Sequence, residues 1–162
     1  MDEQELRVFM DIVIEYFERQ TSRPPEVGSP HLGEPSALPI YDFTGVIGIS
    51  GARQGCVYVT ANRELLRQLL LHVGETDVSD NNICDLVGEI ANTISGNARR
   101  HFGPDFMISV PVVVAGNARA IQVPKNVKAT SSRFAGTNMK RLWWSACKAA
   151  GSSESNQSED MA

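Results

Sequence analysis

The chain has 162 residues, 42% hydrophobic and 21% charged, which suits one domain able to bury a core. Its net charge of −4 and the lack of a Lys/Arg cluster argue against a nucleic-acid or anionic-membrane surface, because phosphate binding needs concentrated positive charge. No apolar run approaches the ~18 residues of a bilayer span and no basic n-region precedes one, so a cytoplasmic protein is expected. Along the chain, residues 3 to 20 place Leu6, Phe9, Met10, Val13, Ile14 and Phe17 at spacings of three and four, which predicts an amphipathic helix. The proline-rich stretch 21–39, with Gly28 and Gly33, reads as a loop without regular structure. "YDFTGVIGIS" and "GCVYVT" are β-rich runs joined through Gly51, Ala52, Arg53 and Gln54, the pattern of a hairpin. "ANRELLRQLLLHVG" then predicts a helix with Leu65, Leu66, Leu69 and Leu70 buried and Gly74 as C-cap.

A second long helix is predicted from an N-cap at Ser79 to a stop between His101 and Gly103, where Pro104 follows. "FMISVPVVVAG" and "RAIQV" read as a second hairpin across Gly116 and Asn117, with Pro111 marking an edge position or a bulge. The expected fold is therefore α+β: two long helices packed on a sheet built from two helix/hairpin halves. Beyond Pro124 the pattern weakens. "KRLWWSA", with Leu142, Trp143 and Trp144, is expected to supply a last strand, and 151–162 to form a disordered polar tail behind a single domain over 1–150.

The informative segment is "CDLVGEIANTISGNARR", residues 84 to 100. At 100° per residue, Ile83, Val87, Ile90, Ile94 and Ala98 gather on one face, while Asp85, Glu89, Asn92, Gly96 and Arg100 gather on the other. A solvated face accounts for the charges, but Asn is a poor helix-interior residue and each Gly costs roughly 1 kcal/mol against Ala. Gly88, Asn92 and Gly96 thus make this helix less stable than solubility requires. A flat surface that admits another protein's backbone explains the glycines; close packing of Gly88 on a neighbouring element is the rival explanation.

Competing chemistries lack support in the spacing. His31, His72 and His101 have no Cys or carboxylate companions at metal-ligand intervals, so no metal site is expected. Cys56, Cys84 and Cys147 are scattered, without a Cys-x-x-Cys pair, and read as thiols. Gly45, Gly48 and Gly51 recur on strand-like sequence and read as hairpin geometry, because no Gly-Lys-Ser/Thr follows them.

"EIANTISGNA" resembles the Glu-x-x-Asn signature of the CheC/CheX/FliY family of chemotaxis response-regulator phosphatases. The resemblance runs over residues 40 to 123, through "DFTGVIGISGARQGCVYVT", "ANRELLRQLL" and "ISVPVVVAG", and Pro111 matches the proline that follows the signature. Members with two active helices repeat the signature on the amino-terminal helix. Here that region reads Glu15, Tyr16, Phe17, Glu18 and lacks the Asn, so the resemblance is to the CheX-like branch. It implies a CheC-like fold, a homodimer built through sheet edges, and hydrolysis of the aspartyl phosphate on a CheY-type response regulator as partner. Glu89 and Asn92 are then the catalytic pair, Asp85, Gly88 and Gly96 the docking positions, and the chain carries no cofactor of its own, the Mg²⁺ residing in the regulator. The alternative is a non-catalytic module that binds a response regulator or assembles with flagellar or chemotaxis machinery.

Overall fold

In this computed structural model the structure describes residues 3–22, 24–28, 31–33, 40–116, 127–136 and 139–149, with the backbone path and pairing given for 31–33, 127–136 and 139–149. The first helix, α1, spans Glu3–Thr21 and buries Phe9, Ile12, Val13, Tyr16 and Phe17 on one stripe, close to the predicted face. Two short strands follow in the proline-rich stretch, β1 (Glu26–Val27) and β2 (His31–Gly33). The expectation of an irregular loop is corrected there. Both strands pair antiparallel with one later strand, at the edge of the sheet, where chains tolerate nearby prolines because one side of the strand needs no partner.

The hairpin forms as predicted, from β3 (Phe43–Gly51) and β4 (Gly55–Ala61), in register from Phe43 opposite Ala61 to Ile49 opposite Gly55. Its odd positions in β3, Phe43, Ile47 and Ile49, are buried. Helix α2 (Arg63–His72) starts at Asn62, whose side-chain oxygen accepts from the Leu65 N–H at 3.0 Å. It ends at Val73, with Gly74 one position later at φ +88°, the left-handed conformation that glycine adopts without penalty. Helix α3 spans Asp80–Phe102; Ser79 caps its start by accepting from the Asn82 N–H, and Gly103, at φ +92°, donates to the Arg99 carbonyl at 2.9 Å. Both predicted ends are therefore set by local chemistry.

The run "FMISVPVVV" divides into β5 (Phe106–Ile108) and β6 (Val112–Ala115), and both pair antiparallel with β3, one beyond the other. Between them Ser109 covers the gap: its hydroxyl accepts from the Gly48 N–H and its own N–H donates to the Gly48 carbonyl, each at 2.9 Å. Pro111 lies in this break, where it withdraws no ladder hydrogen bond. The predicted partner "RAIQV" lies outside the described residues. A further hairpin is formed by β7 (Val127–Gly136) with β8 (Met139–Ala149), and β8 joins the first hairpin by pairing with β4. "KRLWWSA" does supply a strand, within a longer one; β7 was not foreseen. The tail 151–162 lies outside the described residues.

Among the described residues all pairings are antiparallel, and the eight strands run β1-β7-β8-β4-β3-β5, with β2 also on β7 and β6 also on β3. The α3 stripe Ile83, Val87, Ile90, Ala91, Ile94 and Ala98 is fully buried and joins the α1 and α2 stripes and β3/β4 in one core. Gly45, expected to serve hairpin geometry, instead sets how close α3 comes: a Cβ there would lie 2.9 Å from the Val87 carbonyl oxygen. Arg63 ties α2 to α3 through an ion pair with Asp80, and its guanidinium stacks over the Phe43 ring. Among the described residues no helix is long and apolar enough to cross a membrane.

Candidate active site

The packing of α3 decides which of its side chains face outward. With Val87, Ile90, Ala91 and Ile94 fully buried, Asp85, Glu89 and Asn92 are exposed, as the wheel predicts. Glu89 and Asn92 stand three residues apart, neighbours on the helix surface. The Glu89 carboxylate is not left to wander: Thr93 Oγ1 donates to its Oε1 at 2.9 Å. Asn92, by contrast, has no side-chain hydrogen-bond partner among the described residues, so both its amide donors and its carbonyl oxygen stand available.

The two glycines differ. Around Gly96 nothing lies within 4 Å of where a Cβ would stand, so this part of the face is open. Gly88 is buried, and a Cβ there would stand 3.3 Å from Val113 Cγ2 and 3.9 Å from Pro111 Cγ. The expectation that Gly88 serves docking is corrected: the glycine lets β6 and Pro111 close on α3, which is the packing explanation that the sequence left open. The wheel places a residue on a helix but does not say which element covers it.

On the opposite flank, α1 and α3 enclose a groove of about 170 Å³ lined by Glu15, Tyr16, Arg19, Gln20, Glu89, Thr93 and Asn97. Glu15 and Arg19 pair with each other one turn apart on α1. The Tyr16 phenol is largely buried, and burial first, then the negative charge of Glu89, pushes its pKa up to about 12. It is therefore a neutral neighbour of Glu89 at physiological pH. Sequence reasoning missed Thr93 and Tyr16. The i, i+4 spacing from Glu89 was a usable signal for Thr93, whereas Tyr16 comes from another helix.

Cys84 sits half-buried on α3, and burial first, then the charges of Asp80 and Asp85, raises its thiol pKa, which makes it a poor nucleophile. Among the described residues no three His, Cys, Asp or Glu side chains converge as a metal site.

An antiparallel sheet with a long helix packed across it is the CheC-like fold of chemotaxis proteins. Solved structures agree on the fold: a CheC-like superfamily protein from Shewanella sp. PV-4 (22% identity, 93% of this chain and 100% of that chain, TM-score 0.80), and the chemotaxis protein CheX from Desulfovibrio desulfuricans (22%, 90% and 99%, 0.75). The structure of the CheX–CheY–BeF3–Mg²⁺ complex from Borrelia burgdorferi is similar as well (18% identity, 90% and 98%, TM-score 0.75). Among curated proteins none matches the sequence. The chain belongs to the CheX family: the family model described as chemotaxis phosphatase CheX matches residues 43–135, which include the hairpin and the whole of α3.

Proposed function

We propose that this protein accelerates hydrolysis of the aspartyl phosphate on a CheY-type response regulator. The observation that carries the reading is the Asn92 amide, exposed beside Glu89 and without a side-chain partner among the described residues. An acyl phosphate held beside Mg²⁺ and a lysine in the regulator already has its charge neutralised, so the missing contribution is a water held in line with phosphorus. Asn92 orients that water with a donor and an acceptor in one plane, without taking its proton. Glu89 pairs with the regulator's lysine and fixes Asn92 over the phosphate. The Mg²⁺ belongs to the regulator. Family membership and the Borrelia burgdorferi complex of CheX with CheY support the choice of partner. The test is the decay of phosphorylated regulator in the presence of substoichiometric protein; unaccelerated decay, with binding retained, turns the reading into that of a binding module.

Asp85 and Gly96 are the docking positions left after Gly88 is assigned to packing. The space around Gly96 separates two effects of one methyl group. Gly96→Ala is expected to stabilise the fold by about 0.5–1 kcal/mol, the helix-propensity difference, because the added Cβ meets nothing. It is also expected to weaken regulator binding, because the partner's backbone can no longer approach the helix. Urea titration and binding isotherms of the same variant check the two signs, and unchanged affinity removes Gly96 from the docking surface.

The sheet edge supports a reading of the assembly. Among the described residues β6 is an outer strand, paired with β3 alone, with Val112 and Val114 exposed beside Val110, and an exposed apolar edge is stably held only when covered. The proposed form is a homodimer joined through a sheet edge. Light scattering at micromolar concentration is expected to return twice the chain mass; a monomer mass refutes it.

A further inference from the structure

We propose that Thr93 is a positioning residue for the reaction: its hydroxyl holds the Glu89 carboxylate on the α1 flank of α3, away from the Asn92 amide. The inference rests on the water-positioning reading given above. It begins from a conflict within the pair. On a helix of 3.6 residues per turn, Asn92 lies roughly 60° to one side of Glu89 and Thr93 roughly 40° to the other. A carboxylate and an amide three residues apart are within reach of each other and hydrogen-bond on helix surfaces. Were Glu89 to swing toward Asn92, it would take an amide N–H and fix the amide plane by its own geometry rather than by that of the incoming water.

The observed geometry avoids this. Thr93 Oγ1 reaches Glu89 Oε1 at 2.9 Å, a bond strengthened by the carboxylate's charge. Thr93 is half-buried and, being β-branched, is restricted to few χ1 rotamers in a helix, so its hydroxyl is a better-fixed donor than that of a longer side chain. The groove into which the carboxylate leans is also suited to hold it. Tyr16 lines it as a neutral phenol, and Glu15, the one other carboxylate lining it among the described residues, is paired with Arg19. The surrounding wall therefore does not push Glu89 back across the helix. Thr93 engages only Oε1, which leaves Oε2 for a cation of the partner.

The substitution that isolates the hydroxyl is Thr93→Val, which keeps the branched shape, with Thr93→Ser to restore the donor. Two measurements are needed. The first is the position of the Asn92 side-chain amide resonances by NMR in the protein alone. The second is kcat/KM for dephosphorylation of a phosphorylated regulator. Thr93→Val is expected to move the Asn92 side-chain resonances and to lower kcat/KM roughly three- to tenfold, the range set by one hydrogen bond's net worth. Thr93→Ser returns both toward the wild type. In a Glu89→Ala background, Thr93→Val changes neither, because there is no carboxylate to restrain; a merely structural threonine would cost the same in both backgrounds. Unmoved Asn92 resonances in Thr93→Val, or an equal loss in the Glu89→Ala background, overturn the inference. Wild-type turnover in Asn92→Ala overturns the water-positioning reading instead, and the resonances, read without regulator, keep the two failures apart.

Discussion

Asn92→Ala is expected to remove most of the acceleration of regulator dephosphorylation, on the order of a hundredfold, while leaving regulator binding near that of the wild type. The size follows from the role. A side chain that only holds a water in line contributes through geometry, and loss of such alignment costs about that factor. The binding half follows from what the alanine spares: Glu89 keeps its hydrogen bond to Thr93, and the α3 backbone is unchanged because Asn92 points into solvent. Glu89→Ala differs because, in the proposed complex, it leaves the regulator's lysine without its partner at the interface. It is expected to weaken binding by about 1–3 kcal/mol as well as to slow turnover. Cys84→Ser serves as control, since Cys84 packs against the core off this face. Single-turnover decay of phosphorylated regulator at saturating concentrations of each variant decides the matter. Wild-type rates for Asn92→Ala would leave the binding-module reading as the better account of α3.

That the common exposed face of Glu89 and Asn92 was legible in the sequence follows from where they lie. Glu89 and Asn92 sit on one helix whose apolar stripe, Ile83 to Ala98, repeats with the helical period and whose ends are set by the nearby Ser79 and Gly103. Spacing alone therefore gave their common face. The residues that escaped are those whose role depends on a second element. Gly88 was assigned to the open face because the wheel says nothing of β6, which approaches from the side. Tyr16 meets Glu89 only through the packing of α1 on α3. Strand β7 carries Lys128, Thr130, Ser131, Ser132 and Arg133, too few apolar residues to announce a strand; its pairing is supplied by β8 on one side and by β1 and β2 on the other. The short strands in 21–39 escaped for the same reason, since two or three residues carry no period and are held by their partner.

Gly45→Ala is expected to be costly although it lies outside the site, and its cost tests how α3 is seated. Gly45 lies in mid-strand, opposite Val59 and Val113, with α3 directly above it. A Cβ there would stand 2.9 Å from the Val87 carbonyl oxygen, 3.0 Å from Val87 Cγ1 and 3.2 Å from Ala91 Cβ. The first of these is backbone in the middle of a helix, which yields only if α3 moves as a unit. Val87 and Ala91 are fully buried, and a close-packed interior leaves little room to absorb the shift. Overpacking of this kind costs about 1–3 kcal/mol. Gly48→Ala, on the same strand, places its Cβ 3.5 Å from Ser109 Oγ, an ordinary contact, and is expected to be tolerated. Urea unfolding should lower the midpoint for Gly45→Ala, with an unchanged slope, and leave Gly48→Ala close to the wild type. Because α3 carries Glu89 and Asn92 on its far side, displacing it misplaces both against a docked phosphate, and kcat/KM should fall in Gly45→Ala even where the protein remains fully folded. Equal midpoints for the two alanine variants would show that α3 has slack against the sheet, and that the seat of Glu89 and Asn92 does not depend on the missing side chain at residue 45.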